Sequence, residues 1–314
     1  MLRDAVIIEV GLNEATPRAL NPHVPYSPQE CADDARRCAA AGAAVIHWHA
    51  RDPRSGEQRL GDASLYGQAL DRMRDIDALA YPSYPVDSVS LADRFGHYWT
   101  LHTHHGLELA PLDVGSVNVV LWDEQTRSFL AVEHLLESAV VSNPLPLTLQ
   151  ALDQISLRDM HPTLTSFDVG MTRTVVLLAQ AGKLRPPVFL KIFLSGTWAV
   201  GPFPTEAALD FHLHQIPADL DVEWVLVPYA LSEPALVERL CRHALARGGG
   251  IRVGIGDTPS AYPSHTNAQL VEHAVRWAEE ARRPVASAAD VRRRFGLRER
   301  RCADGADAAT RSEP

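Results

Sequence analysis

Val45-Ile46-His47-Trp48-His49-Ala50-Arg51-Asp52 is an apolar run that ends in two histidines separated by one residue. Side chains alternate along a strand, so His47 and His49 face one way while Ile46 and Trp48 face the other. Two imidazoles on one face can meet one metal ion. A helix predicted from residue 31 closes at the turn residue Gly42 before the run, and the polar loop Asp52-Pro53-Arg54-Ser55-Gly56 follows it. Helix, strand and loop in that order put the histidines at the carboxyl end of a strand in a repeating β/α chain, the end that carries the chemistry in such folds. A lone histidine here would read as a satisfied core residue or a loop cap. The pair closing an apolar strand points to a zinc-like ion, for which neutral imidazole is a common ligand.

Working outward, residues 5–11 form a Val/Ile-rich strand that opens into Leu12-Asn13-Glu14-Ala15-Thr16-Pro17. Ser27, Pro28 and Glu30 then mark a helix start with a capping box. Downstream, residues 62–74 read as a helix and 78–83 as a third strand with Ser83 at its outlet. Residues 95–107 carry His97, His102, His104 and His105 on a polar helix or loop, a pattern that fits surface polarity better than a metal site. The fourth strand is predicted over 113–121, including Gly115-Ser116-Val117-Asn118, and the fifth over 164–170, ending in Asp168-Val169-Gly170. Residues 188–194 are the clearest buried strand, and Lys191 within it either faces the barrel interior as a functional cation or snorkels from the outer face. Strands over 222–229 and 250–257 follow, the last ending in a glycine-flanked Asp257. Helices are predicted over 171–181, 206–214, 232–247 and 266–281. Eight strands alternating with helices predict a (β/α)8 TIM barrel over residues 1–298 as a single catalytic domain, and a disordered tail over 299–314.

The 314 residues carry a formal charge of −9 and a pI near 5.8, which argues against a nucleic-acid partner. The basic cluster at Arg292, Arg293, Arg294, Arg298, Arg300 and Arg301 reads as a solvated helix end. Cys31, Cys38, Cys241 and Cys302 are too few and scattered for a disulfide framework. The N-terminal apolar run is too short for a signal peptide, and nothing approaches the roughly 20 apolar residues of a membrane span. A soluble, cytoplasmic protein with no membrane partner is expected, and a homo-oligomeric assembly.

Several of these segments together resemble the β-keto acid cleavage enzyme family typified by 3-keto-5-aminohexanoate cleavage enzyme. They are Asn13-Glu14-Ala15-Thr16, Asn21-Pro22-His23-Val24-Pro25, the block from Ala41 to Pro53, Gly115-Ser116-Val117-Asn118, Phe167-Asp168-Val169-Gly170, and Arg252-Val253-Gly254-Ile255-Gly256-Asp257. The resemblance implies a zinc-dependent barrel that uses acetyl-CoA to cleave a β-keto acid, giving acetoacetate and a new acyl-CoA. It implies that His47 and His49 bind Zn2+, that Arg252 and Asp257 take part in catalysis, and that Ser83 contacts substrate; Ser116 is a further substrate-binding candidate. The family's usual third ligand is a glutamate just before the catalytic aspartate, where this chain has Gly256. A glutamate usual near the end of the fifth strand is also missing, with Thr163 and Thr165 in its neighbourhood.

In a closed barrel the first strand lies between the second and the eighth, so Glu14 can reach the place that Gly256 leaves open. His47, His49 and Glu14 are therefore the expected metal ligands, with substrate recognition as the competing role of Glu14. Its position near the mouth, with Arg18 as the basic residue of its loop, predicts a substrate whose variable end is uncharged or positive. Asp257 beside Arg252 is expected to be held ionised. Two other readings compete: a metal-dependent hydrolase of the amidohydrolase type, which also uses His-x-His and a late aspartate, and a non-catalytic barrel that binds acyl-CoA or a keto acid. The hydrolase needs further histidines at later strand ends, and the binding barrel gives no reason to keep Arg252 and Asp257 together.

Overall fold

The structure is a computed structural model, and it describes residues 4–123, 126–130 and 140–297. The tail expected over 299–314 lies outside the described residues. Eight parallel strands make one sheet: β1 (Ile8–Gly11), β2 (Val45–Trp48), β3 (Leu79–Pro82), β4 (Leu109–Asp113), β5 (His161–Ser166), β6 (Val188–Ser195), β7 (Val222–Tyr229) and β8 (Gly250–Val253). Their order is β3-β2-β1-β8-β7-β6-β5-β4, so the first strand pairs with the last. β3 and β4 pack side by side at the seam without a ladder, which leaves a nearly closed TIM barrel. Each strand is followed by a helix: α1 (Pro28–Ala41), α2 (Ala63–Arg72), α3 (Leu91–His105), α4 (Leu145–Leu157), α5 (Val169–Gln180), α6 (Glu206–Leu213), α7 (Pro234–Ala246) and α8 (Asn267–Glu280), with α9 (Ala288–Phe295) after them. No described helix is long and apolar enough to cross a membrane.

The local signals explain most of these boundaries. α1 starts at the Ser27–Glu30 capping box and stops where Gly42 turns to φ 119°. Thr266 and Gln269 cap α8 in the same way. Where the boundaries differ from expectation, the cause is local. The fourth strand is Leu109–Asp113, upstream of the predicted 113–121, because Pro111 disguises it. Proline is tolerated there, and at Pro82 in β3, since both strands flank the seam where no ladder forms. Val117–Asn118 instead pairs with Val140–Val141 as a short antiparallel ribbon. Asp168 does not end the fifth strand: its carboxylate caps α5 by accepting from the Met171 N–H at 3.0 Å. The last strand stops at Val253, and residues 254–257 turn back, with the Asp257 N–H donating to the Gly254 carbonyl. The N-cap position of α7 is Glu233 rather than Ser232, with no side-chain capping bond and Pro234 opening the helix.

Alternation along the strands divides the core. Outward residues such as Ile8, Ile46, Trp48, Ile192 and Ile251 pack against the helices. Inward residues Ile7, Val45, Leu79, Leu109, Phe189 and Val225 form an apolar layer inside the barrel. From below, Val291 and Phe295 of α9 close this layer. The arginines expected at a solvated helix end hold that plug in place. Arg292 is buried and reaches Glu108 at 3.0 Å and Asp77 at 3.2 Å, and Arg294 reaches Asp221 and Glu223, each at 2.5 Å. Arg293 alone of the three points to solvent.

Phe295 stacks near Phe189 and His161, with ring centroids 4.8 and 4.6 Å away. Phe295→Ala should lower unfolding stability by about 3–5 kcal/mol in a denaturant titration. A loss below about 1 kcal/mol would show that α9 does not seal the barrel.

Candidate metal centre and active site

The two histidines share a face, as the strand period requires, with ring centroids 5.3 Å apart and planes nearly perpendicular. Trp48 between them points outward onto Tyr66. The Nδ1 of His47 lies 3.1 Å from the Tyr81 carbonyl oxygen, and the Nδ1 of His49 lies 2.6 Å from Gln58 Oε1. Both partners are acceptors, and an imidazole that donates its Nδ1–H to such a partner turns a bare Nε2 inward. Both Nε2 atoms meet the Glu14 carboxylate, at 3.2 Å for His47 and 2.8 Å for His49.

Glu14 reaches this place through a forced turn. Its φ of 37° lies in the left-handed region, which is unfavourable for a residue with a side chain. The neighbouring bonds hold it there. Asn13 donates to the Pro25 and His49 carbonyls and accepts from the His49 N–H, which ties the β1 outlet to the β2 outlet. Arg51 donates to the carbonyls of Asn13 and Glu14. Asn267 donates to the Leu12 carbonyl, and Thr16 donates to that of Gly256.

Burial pulls the His47 imidazole well below its usual pKa, so it is neutral. Burial also works against a charge on Glu14, but the facing His49, Arg252 and His47 outweigh it and hold that carboxyl well below the usual range. A neutral Nε2 lone pair pointing at a carboxylate is repulsive unless a cation lies between them. Ligands about 2.0–2.2 Å from a tetrahedral zinc stand roughly 3.3 Å apart, close to the separations seen here. One ligand atom each from Glu14, His47 and His49 falls within 4.8 Å of the others. The donor set therefore fits a divalent cation held at three points. The histidines of α3 do not form a comparable group: His97 meets the Ser83 carbonyl, His102 that of Leu107, and His105 meets Asp71. The Glu14–His47–His49 group is the candidate metal cluster found among the described residues, and its two histidines fall short of the set that the hydrolase reading needs.

Arg252 joins this group to the rest of the barrel. Its guanidinium donates to Glu14 Oε1, to Glu9 Oε1 at 3.1 Å, and to both oxygens of Asp257 at 2.7 and 3.0 Å. Asp257 is not simply held ionised by this contact. Burial, helped by the charges of Glu14 and Glu9, outweighs Arg252 and pushes it up to about 7. Lys191 settles on the interior alternative: its Nζ lies 2.9 Å from Glu9 Oε1 and 3.8 Å from the centroid of the Tyr81 ring. Burial pulls its ammonium down to about 8.

A cavity of about 460 Å³ opens above the cluster. Glu14, His47, His49, Ser83 and Arg252 line it, as do Tyr81, Asp113 and Lys191. Asp257 stands behind Arg252 rather than on the cavity wall. Ser116 is also away from it: its hydroxyl accepts from the Asn143 N–H at 2.8 Å, in a ribbon that packs over the strands. Glu14 sits at the metal cluster instead of the mouth, and Arg18 pairs with Glu30, so the argued link between Glu14 and the substrate's variable end does not hold. Glu9, Tyr81 and Asp113 are polar site residues that the sequence reading passed over. Asp113 had a usable signal, since it closes an apolar run at a strand's carboxyl end. Glu9 carried a weaker one, a lone charge inside a Val/Ile strand.

Gly256 cannot supply the missing ligand by gaining a side chain. A Cβ there would lie 2.7 Å from the Asn13 nitrogen and 2.8 Å from the Gly11 oxygen, both backbone atoms. Gly256→Glu should cost at least about 1–3 kcal/mol of stability, measured by thermal or denaturant unfolding, without adding a ligand. A variant as stable as the parent would show that the outlet of β1 can yield, and that Gly256 is not fixed by this close approach.

A model of the β-keto acid cleavage enzyme family matches residues 5–297. The chain is 27% identical over 301 residues to the 3-dehydrocarnitine:acetyl-CoA trimethylamine transferase of Rhizobium meliloti, spanning 88% of this chain and 91% of that one. It is 26% identical over 303 residues to the 3-oxoadipate:acetyl-CoA acetyltransferase of Cupriavidus necator, spanning 93% and 94%. It is 24% identical over 287 residues to the 3-keto-5-aminohexanoate cleavage enzyme of Acetoanaerobium sticklandii, spanning 88% and 92%. Among solved structures, the ternary complex of ObcA with a C4-CoA adduct and oxalate superposes with a TM-score of 0.65 at 16% identity, over 88% of this chain and 68% of that one, and so shares the fold. The chain belongs to the β-keto acid cleavage enzyme family and is a β-keto acid:acetyl-CoA transferase.

Proposed function

We propose that the protein is a metal-dependent transferase that converts a β-keto acid, R–CO–CH2–COO⁻, and acetyl-CoA into acetoacetate and R–CO–SCoA, with Glu14, His47 and His49 holding Zn2+. The observation that carries this reading is the convergence of those three side chains at the base of the cavity. Bound there, the ion supplies a Lewis acid for the keto oxygen, where negative charge develops. The chain's own residues do the rest. Asp257, pushed up to about 7, is the base for the carbon between the keto group and the carboxylate; it stands behind Arg252, so the guanidinium has to shift aside for its carboxylate to take that proton. Arg252 holds both oxygens of Asp257 and presents its own cavity face to the substrate. Ser83, at the β3 outlet, offers a hydroxyl to the substrate. The deprotonated carbon attacks the thioester of acetyl-CoA and expels the CoA thiolate. The thiolate then attacks the original keto carbon, the bond between that carbon and its neighbour breaks, and the released acetoacetate carbanion regains a proton.

Removing a ligand tests the metal assignment. His49→Ala and Glu14→Gln should each reduce bound zinc, read by elemental analysis of the purified protein, from about one ion per chain to a small fraction, with the circular dichroism spectrum unchanged. Full zinc retention in Glu14→Gln would remove Glu14 from the ligand set.

Asp257→Asn keeps the shape but not the basicity. Exchange of the substrate's C2 hydrogens with D2O, followed by NMR, should slow by about 10²- to 10⁴-fold while zinc stays bound. A base must be unprotonated to work, so in the parent kcat/KM should fall about tenfold per pH unit below about pH 7. Undiminished exchange in Asp257→Asn would assign the proton transfer elsewhere.

A further inference from the structure

The cavity has two unlike sides. Glu14, His47, His49 and Arg252 occupy the sector of β1, β2 and β8, whereas the next strands round the barrel, β7, β6 and β5, present aromatic rings and lead away from His47 and His49. Phe167 follows β5, Phe193 lies on β6, Trp198 is in the loop after β6, and Tyr229 ends β7; all four line the cavity. They touch in a closed circuit. Ring centroids are 4.9 Å apart for Phe167 and Phe193, 5.6 Å for Phe193 and Tyr229, 5.7 Å for Tyr229 and Trp198, and 5.0 Å for Trp198 and Phe167. Val119, Leu121 and Val141 extend this wall.

We propose that the aromatic wall receives the substituent R on the keto carbon, and that this substituent is uncharged and apolar, an aryl or branched alkyl group. The inference rests on the proposed function, which places the reacting head of the substrate on the metal side and so turns its tail toward β5 to β7. An anionic tail would need a free cation there. Among the described residues that line the cavity, the lysine and arginine are Lys191 and Arg252, and both are already paired with buried carboxylates. The Trp198 indole N–H is buried without a partner, but one neutral donor does not offset the desolvation of a carboxylate. A quaternary ammonium tail could stack on such rings. It would share the cavity with Lys191 and Arg252, and the acid on the β4 side, Asp113, is pushed up by burial toward its neutral form. An apolar tail meets none of these costs and covers the exposed faces of the rings.

The test is a substrate panel with the zinc-loaded parent enzyme and acetyl-CoA, reading kcat/KM for acyl-CoA formation. 3-Oxo-3-phenylpropanoate and 3-oxo-5-methylhexanoate carry apolar tails, 3-oxoadipate an anionic one, 3-dehydrocarnitine a cationic one, and 3-oxopentanoate a short one. The two apolar-tailed acids should exceed 3-oxoadipate and 3-dehydrocarnitine by at least about tenfold. Trp198→Ala should lower kcat/KM on the order of 10- to 100-fold for the phenyl compound, and at least tenfold less for 3-oxopentanoate. The inference is overturned if a charged-tail acid is the best substrate, or if Trp198→Ala lowers every substrate equally. Turnover of 3-oxoadipate or 3-dehydrocarnitine alone would sink it while leaving the transferase reading intact. Absence of turnover with every β-keto acid would overturn that reading, and this inference with it.

Discussion

Among the described residues Arg252 is the one buried cation in contact with three carboxylates, and the site is built around that constraint. It is 2% exposed, and Glu9, Glu14 and Asp257 all lie within hydrogen-bond reach. Buried carboxylates at such spacing repel one another and lose their hydration, so they coexist only because donors occupy the space between them. Removing one partner from a buried ion pair costs about 3–5 kcal/mol, because the remaining charge is left uncompensated. Gly11 shows how tightly the arrangement is fitted: a Cβ there would lie 2.5 Å from Asp257 and 2.6 Å from Arg252. The bare face of β1 makes room for the guanidinium and its acid.

The same constraint explains why the candidate third ligand, Glu14, comes from the outlet of β1 and not from β8. Where the family resemblance places a glutamate, Gly256 lets the backbone of the β1 outlet come close, and the Gly256 N–H donates to the Gly11 carbonyl. That approach draws the loop from Asn13 to Thr16 over the ends of β8 and β2. Glu14 can then meet His47, His49 and Arg252 together. A side chain at position 256 would meet the backbone of Gly11 and Asn13, so it and the close approach that carries Glu14 to the histidines exclude each other, and this chain has the second arrangement.

What could be read from the sequence was what depends on short-range rules. The alternation at His47 and His49, the capping boxes at Ser27 and Thr266, and the uninterrupted strand from Val188 to Leu194 are set by neighbours a few residues away, and the structure has them where the pattern puts them. Glu14 was within reach because barrel closure fixes which strands are adjacent. The fourth strand was hidden because Pro111 is acceptable only beside a seam that no local pattern announces. Arg292 and Arg294 looked like surface charge because their partners, Glu108, Asp221 and Glu223, lie some 70 to 180 positions away in sequence. The aromatic wall was invisible for a related reason: its four rings come from three successive β/α units and become one surface only when the strands close into a barrel.

The apolar layer beneath the site determines how these charges behave. Ile7, Val45, Leu79, Leu109, Phe189 and Val225 fill the barrel's lower half, and Phe295 seals it, so no water reaches Glu9 or Lys191 from that side. With solvent above only, the network sits in a low-dielectric cup, where desolvation acts on every member and direct contacts decide which charges survive. Asp257 rises to about 7 and Lys191 falls to about 8 for this one reason, one toward the range where a carboxylate can accept a proton at neutral pH. Glu14, facing Arg252 and two imidazoles, goes the other way and keeps its charge. Two acids about one guanidinium apart are thus driven to opposite protonation behaviour, one kept charged and one raised toward neutral pH, by which neighbours each one faces inside the same sealed cup, and the proposed roles of cation ligand and base rest on that difference.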